Sequence, residues 1–230
     1  MQGLRGRILV GYQGWYGCPG DYAGNPQWIH WFNGPAAAST LAVDMLPFLQ
    51  GLAPEDLCDT GLRRADGSPV RVFSSQNAKV VARHFEWMRA HGIDGAAVQR
   101  FVSETRIPFL RARSDNMLDH VRRAAEENGR VFYLTYDISG DQDDVAQAIL
   151  RDWRDLVERQ HITDSPAYLR VNGKPVLHLW GFGFRDRPGS AESARQLIAQ
   201  LRGGMAGPAV TLIGGGPARW RPLGPAPQPE

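Results

Sequence analysis

The stretch Val131–Tyr136 (VFYLTY), followed at once by Asp137–Asp141 (DISGD), decides how this sequence is interpreted. A short run rich in apolar and aromatic residues predicts a buried strand. Because the run stops at a carboxylate, we expect Asp137 to lie at the carboxyl end of that strand. Functional sites of parallel α/β sheets form at that end. The stretch therefore predicts both a strand and a place for chemistry.

Alternating helix and strand patterns extend outward from this strand in both directions. Apolar residues recur at helical spacing from Ser114 to Asn128, and again from Val145 to Leu156. Asn172-Gly173 indicates a hairpin between Tyr168–Val171 and Lys174–Trp180. The remaining predicted elements are strands at Ile8–Gln13, Ile93–Gln99 and Ala209–Ile213, and helices after Asn77 and around Ala194–Leu201. This order predicts parallel strands joined by right-handed crossovers, in an open sheet or a barrel.

The composition narrows the classes of partner. The 230 residues include 26 Lys and Arg against 24 Asp and Glu, without runs of one sign, so we expect no nucleic-acid or anionic-membrane partner. No apolar stretch is long enough for a membrane span, and no leader follows Met1, so the default location is cytoplasmic. Cys18 and Cys58 match neither the spacing of a zinc site nor a disulfide framework, and a single disulfide between the two is left as an open alternative.

The ends of the predicted strands carry polar and aromatic side chains. Aromatic rings cover the apolar faces of sugar rings, and amide, guanidinium and carboxylate groups bind their hydroxyls. The candidate substrate-binding residues at these ends are Gln13, Trp15, Tyr16, Gln99, Arg100, Tyr136 and Trp180. We expect Trp15, Gln99, Arg100, Asp137 and Trp180 to line one cavity that binds a neutral carbohydrate, without a metal or other cofactor.

Two carboxylates are candidates for catalysis. Glycoside cleavage generally needs one carboxyl group to protonate the leaving oxygen and a second to act as base or nucleophile. Asp137 and Asp141 lie four residues apart and could converge on one bond. Alternatively, Asp141 only caps the helix that follows.

Several segments of the chain resemble a known group of proteins. These segments are Val10–Asp21 (VGYQGWYGCPGD), His84–Met88 (HFEWM), Gly92–Gly95 (GIDG), Gln99–Phe101 (QRF), Tyr136–Gly140 (YDISG) and Asn172–Val176 (NGKPV). They are similar to a bacterial and fungal group labelled xylosidase/arabinosidase, a branch of the glycoside hydrolase family 71 and 99 superfamily. The resemblance spans nearly the whole chain.

The resemblance implies a (β/α)8 barrel that acts on glycosides, and it adds Asp21 to the candidate substrate-binding residues. Family 99 has two catalytic glutamates three residues apart after the strand that corresponds to Val131–Tyr136. Asp137 takes the place nearest the first of them, while Gly140 occupies the place of the second. Family 71 is similar in placing an aspartate at the end of this strand, which supports Asp137.

The count of strands predicts an incomplete barrel. About five main parallel strands are present, and the prolines from Pro222 to Pro229 supply neither helices nor central strands. We therefore expect a truncated barrel domain at residues 1–221 and a disordered tail at 222–230, with open sheet edges and exposed apolar faces. Two other functions stay open: a carbohydrate-binding pseudoenzyme, and a nucleotide or phosphosugar enzyme with phosphate contacts from Gly214–Gly216.

Overall fold

The computed structural model describes residues 3–140, 144–184, 187 and 189–218. The strands, in chain order, are β1 (Leu9–Tyr12), β2 (Cys58–Arg63), β3 (Pro69–Val72), β4 (Gly95–Phe101), β5 (Val131–Asp137), β6 (Arg170–Val171), β7 (Lys174–Trp180) and β8 (Thr211–Gly215). The α-helices are α1 (Ala78–Ala90), α2 (Val102–Thr105), α3 (Pro108–Asn128), α4 (Val145–Glu158) and α5 (Ala191–Gly203). Short 3-10 turns lie at Ala38–Thr40, Pro54–Asp56 and Ile162–Asp164.

Five parallel strands form the main sheet, in the spatial order β1, β4, β5, β7 and β8. The predicted hairpin is confirmed: β6 pairs antiparallel with the start of β7, and Asn172 adopts the left-handed conformation that the turn needs. Near the start of β5, Phe132 donates a hydrogen bond to the Ala167 carbonyl and accepts one from the Leu169 amide, just before the hairpin. β5 and β7 therefore pair directly only from Leu134 onward.

The longer helices pack on one face of this sheet. The main core combines side chains of α1, α3, α4 and α5 with strand residues that point toward them, such as Val98, Leu134 and Leu177. Helices on a single face are typical of a (β/α) barrel, whereas a doubly wound sheet carries them on both faces. Within the described residues β1 and β8 pair with one strand each, so the barrel is not closed. The expected class, an incomplete barrel-type α/β fold, is confirmed.

Most helix ends follow the predicted signals. The Asn77 side chain accepts a hydrogen bond from the Lys79 amide and caps α1, and Gly129 ends α3 in the left-handed conformation. The expected start of α3 at Ser114 is wrong, because the helix begins at Pro108, whose fixed φ suits a first turn. β4 and β8 each begin two residues later than expected, at Gly95 and Thr211.

Residues 13–77 form a satellite unit that the sequence did not reveal. The hairpin of β2 and β3 escaped prediction because β2 (CDTGLR) is mostly polar, and the unit has a small core around Trp31, Phe32 and Val72. A disulfide between Cys18 and Cys58 closes it, which settles the open question of a bridge. The unit is held beside the first parallel strand, where it covers part of the carboxyl end of the sheet.

The outer face of β8 is only partly covered. A groove of about 590 Å³ lies between β8 and α5, and its lining includes Leu179, Ile198 and Leu212. None of the described helices is long and apolar enough to cross a membrane.

Candidate functional site

The strand register sorts the residues at the carboxyl end into two opposite faces. Phe101, Asp137, Trp180 and Gly215 are neighbours across four strands and share one face. Gln99, Thr135 and His178 form the row below them on the same face. Since successive side chains of a strand alternate, this inner face points away from the helices. The candidate site is built on this inner face.

Asp137 and Gln99 are joined at the centre of the inner face. Gln99 Nε2 donates a hydrogen bond of 2.5 Å to Asp137 Oδ2, and the Ser139 amide donates one of 2.7 Å to Asp137 Oδ1. Both carboxylate oxygens therefore have a donor, and the side chain is fixed in position. Asp137 is only 3% exposed, which places it at the base of the site rather than at its rim.

His178 lies beside Asp137 and was missing from the predicted site. Its Nδ1 is 3.2 Å from Thr135 Oγ1, one strand away. Burial lowers the pKa of His178, although the nearby Asp137 carboxylate opposes that change. The neutral imidazole can donate or accept a hydrogen bond at the face of the sheet. The alternation along β7 (KPVLHLW) could have found it, because His178 and Trp180 share a face.

Trp180 provides an accessible aromatic surface at this end. It is 38% exposed, and its ring lies 5.8 Å from that of Phe184 in a tilted arrangement. Gly215 allows the close approach of β8, since a Cβ there would lie 2.8 Å from His178 Nε2 and 2.9 Å from Trp180 Cζ3. Gly214 and Gly215 therefore belong to a packed strand, which does not favour the phosphate loop considered from the sequence.

Arg100 and Tyr136 lie on the opposite face, among the helices. Arg100 donates through Nε and Nη2 to Asp152 of α4, at 2.7 Å each, and Tyr136 Oη donates to the same carboxylate at 2.7 Å. Both residues are almost completely buried. This corrects the expectation that Arg100 shares a cavity with Gln99 and Asp137. The strand alternation that places Gln99 and Asp137 inward necessarily turns Arg100 and Tyr136 outward.

Trp15 and Tyr16 stack on other aromatic side chains of the protein. Trp15 is stacked between His30, at 4.2 Å, and Phe101, at 5.4 Å between ring centroids. Tyr16 stacks on Trp31 at 4.0 Å within the satellite core. Both rings are packed against protein and only partly exposed, so Trp180 is the most exposed of the three rings.

Asp21 fastens the satellite unit to α3. Its carboxylate accepts hydrogen bonds from Arg113, Ser74 and the Cys18 amide, at 2.7, 2.5 and 2.7 Å. Burial alone would raise the pKa of Asp21, but these hydrogen bonds outweigh it and lower the pKa. With its oxygens engaged in this way, Asp21 acts as a structural clamp rather than as the substrate contact expected from the resemblance.

A small cavity opens beside Gln99. Its volume of about 30 Å³ is enough for a water molecule but not for a sugar ring. Its lining includes Gln13, Trp15, Gln99, Glu104 and Arg113. Within the described part of the chain, Trp15 Nε1 is buried without a hydrogen-bond partner, as is one terminal nitrogen of Arg113. Neither Glu104 nor Arg113 was a sequence candidate, because both lie in or near helices past the strand end.

The larger groove beside β8 lies on the helix side of the sheet. Leu179 lines it and, by strand alternation, points away from Asp137 and Trp180. Its size therefore does not make it the candidate site. Asp141, the second predicted carboxylate, lies outside the described residues. In residues 3–140, 144–184, 187 and 189–218 no three His, Cys, Asp or Glu side chains are grouped as they would be around a metal ion.

Comparisons with known proteins give partial likenesses. No protein-family model and no curated protein matches the chain. An endo-α-mannosidase of glycoside hydrolase family 99 from Bacteroides thetaiotaomicron is similar to 75% of this chain over 44% of its own, with 16% identity and a TM-score of 0.46. A glycoside hydrolase-like protein is similar to 66% of this chain over 46% of its own, with 13% identity and a TM-score of 0.45.

The chain spans less than half the length of these two structures. Aspergillus fumigatus Ega3, in complex with galactosamine, is similar over 71% of this chain and 66% of its own, with 12% identity and a TM-score of 0.31. None of the three is a xylosidase or an arabinosidase by name, so that finer assignment stays a prediction.

Proposed function

We propose that the inner face of this glycoside hydrolase-like domain cleaves O-glycosidic bonds of a neutral oligo- or polysaccharide, with Asp137 as one catalytic carboxylate. The observation that carries the proposal is the Gln99–Asp137 hydrogen bond at the carboxyl end of two neighbouring parallel strands. Barrel enzymes place their chemistry at this end, and a fixed carboxylate is the group that glycoside cleavage requires.

The surroundings of Asp137 fit an uncharged ligand. Trp180 offers an exposed ring beside it, suited to the apolar face of a sugar. Gln13, Gln99 and His178 offer hydrogen-bonding groups without a net charge on the same side, and Gln13 is exposed. The sequence resemblance to glycoside-cleaving enzymes supports the same class of substrate.

The test is hydrolysis of a panel of neutral α-glucans, mannans, xylans and arabinans, followed by the appearance of new reducing ends. We expect Asp137→Asn to lower the rate by at least about a hundredfold, the usual scale of acid–base catalysis, with an unchanged circular dichroism spectrum. The matched control is Asp44→Asn, because Asp44 is exposed and lies outside the main sheet. A folded Asp137→Asn variant within a few-fold of wild type would remove Asp137 from the mechanism.

Carbohydrate binding without cleavage is the second candidate. One observation favours it: Asp137 is 3% exposed and both of its carboxylate oxygens already accept hydrogen bonds. Calorimetric titration with the same panel separates the two functions. Binding of a glycan with no new reducing ends after prolonged incubation would support the binding function and exclude hydrolysis of that glycan.

A further inference from the structure

We infer that Glu104 is the second carboxyl group of the site and acts as the general acid opposite Asp137. This inference rests on the proposed glycoside hydrolysis and supplies the partner that the reaction needs. It replaces the sequence-based choice of Asp141 with a residue on a neighbouring strand's connection.

Glu104 lies at the same end of the sheet as Asp137. It belongs to the short helix α2, three residues after Phe101, which pairs directly with Asp137 across β4 and β5. The loop after β5 packs against α2, since a Cβ on Gly140 would lie 3.8 Å from Ser103 Oγ. Asp137 thus ends β5 and Glu104 follows the adjacent parallel strand β4, at the end of the sheet where residues from different strands meet in barrel enzymes.

Gln99 belongs to the surroundings of both carboxyl groups. It lines the small cavity together with Glu104, and its amide donates to Asp137 Oδ2. The cavity of about 30 Å³, whose lining includes Gln99 and Glu104 but not Asp137, admits a water molecule, while a sugar would lie outside it on the open inner face. Glu104 is neither fully buried nor fully exposed, so it borders both the cavity and the solvent.

The carboxyl group of Glu104 has the environment of a proton donor. Its side chain makes no hydrogen bond or salt bridge to any described residue, in contrast to the fully engaged Asp21 nearby. Burial raises the pKa of Glu104, although the positive charges of Arg100 and Arg113 oppose that change. Asp137, in contrast, accepts two hydrogen bonds. Two carboxyl groups in such different settings are suited to separate acid and base roles.

The proposed step balances as a hydrolysis. The Glu104 carboxyl gives its proton to the glycosidic oxygen while the bond from that oxygen to the anomeric carbon breaks, and the electron pair stays on the oxygen. A water oxygen bonds to the anomeric carbon, and the proton that this water loses passes to the Asp137 carboxylate. Exchange with solvent then returns the proton to Glu104 and leaves Asp137 ionised.

The kinetic experiment uses Glu104→Gln with pairs of glycosides that differ only in leaving group. For the sugar that wild type cleaves, we expect at least about a hundredfold loss of kcat/KM on the methyl or oligosaccharide glycoside. The 4-nitrophenyl glycoside should lose less than about tenfold, because its leaving group needs no protonation. The basic limb of the pH profile should also disappear. Glu86→Gln on α1, a half-buried ion-pair residue outside the candidate site, serves as the matched control.

A second measurement does not depend on activity. Carbon-13 NMR of glutamate-labelled protein should show one side-chain carboxyl titrating above the ordinary glutamate range, and this signal should be missing in Glu104→Gln. The role of Glu104 would be overturned if that signal titrated in the ordinary range. It would also be overturned if a folded Glu104→Gln variant cleaved the unactivated glycoside at an unchanged rate. Neither result would overturn the proposed hydrolysis itself. A wild-type protein that cleaves none of the glycans overturns the proposed hydrolysis, and the role of Glu104 as its acid with it.

Discussion

The guanidinium of Arg100 and the carboxylate of Asp152 form two parallel hydrogen bonds of 2.7 Å behind the sheet. Their side chains are 1% and 3% exposed, and Arg100 also contacts Asp115 at 2.7 Å and Ser114 at 2.9 Å. Tyr136 donates to the same Asp152. This buried cluster joins β4 and β5 to α3 and α4, so it fixes the strands whose opposite faces carry Gln99 and Asp137.

Removing one member of this cluster should destabilise the fold strongly. We expect Asp152→Ala to lower the free energy of unfolding by about 3–5 kcal/mol, because it leaves the buried Arg100 charge without its main partner. The double variant Arg100→Met with Asp152→Leu should be less destabilised than Asp152→Ala. Urea unfolding followed by circular dichroism measures both. A loss below about 1 kcal/mol for Asp152→Ala would show that the pair contributes little.

The clamp between Asp21 and Arg113 should make stability depend on acid pH. The pKa of Asp21 is lower in the folded protein than in the unfolded chain, so its contribution is complete above the unfolded value of about 3.9. It is lost as the pH falls through the folded value. Unfolding free energies of wild type and Asp21→Asn should therefore differ most at neutral pH and converge as the pH falls through the lowered pKa of Asp21 in the folded protein. Asp44→Asn, at an exposed position, should leave the profile unchanged.

His84 should contribute a second pH dependence at milder acidity. Burial lowers its pKa to about 4, and its Nδ1 lies 3.0 Å from Tyr12 Oη. The folded protein thus favours neutral His84, while the unfolded chain binds a proton below about pH 6.5. The free energy of unfolding should therefore decrease by at most about 1.4 kcal/mol for each pH unit as the pH falls from roughly 6.5 to 4. His84→Gln should flatten this part of the profile, and an unchanged slope would contradict it.

The disulfide should stabilise the satellite unit measurably. Cys18 and Cys58 are 40 residues apart, and a bridge closing a loop of this kind typically contributes about 2–5 kcal/mol. We expect the double variant Cys18→Ser with Cys58→Ser to unfold at lower urea concentration. Hydrogen exchange should show the largest loss of protection in β2 and β3, with β5 affected least. Uniform loss across the sheet would show that the unit and the sheet unfold as one.

Trp180 should matter for glycan binding but little for stability. Its ring is 38% exposed, so Trp180→Ala removes few buried contacts while it deletes the accessible aromatic surface beside Asp137. We expect roughly tenfold weaker binding of a glycan, measured by calorimetry, with a nearly unchanged melting temperature. Phe48→Ala is the matched control, since Phe48 is an exposed aromatic outside the sheet. Equal weakening by both variants would speak against a site at Trp180.

The alternating strands and helices of the main sheet could be predicted from the sequence because each has its own periodicity of apolar residues and its own stop signals. Val131–Asp137, a largely apolar strand, and Val145–Glu158, a helix with apolar residues at helical spacing, are clear examples. The satellite unit could not be predicted in this way, because β2 and β3 are short and depend on a disulfide and on partners far along the chain.

The sequence predicted where the candidate site lies but not all of the residues that form it. Position at the carboxyl end of a strand identified Gln99, Asp137 and Trp180, yet it also selected Arg100 and Tyr136, which face the helices. Applying the two-residue alternation within each strand would have separated these groups and included His178. Glu104 lies beyond a strand, in a one-turn helix, and it lines a cavity together with Trp15 and residues of α3, which no local pattern reveals.

The bridge between Cys18 and Cys58 also has a consequence for where this protein can mature. Thiol pools in the cytosol keep most cysteine pairs reduced, whereas secreted and periplasmic proteins meet an oxidising environment. A chain that needs this bridge to assemble residues 13–77 beside the sheet would be completed only after oxidation. We therefore expect mass spectrometry to find no free thiols in recombinant protein from an oxidising compartment. Protein from a reducing cytosol should acquire the disulfide only after exposure to an oxidant.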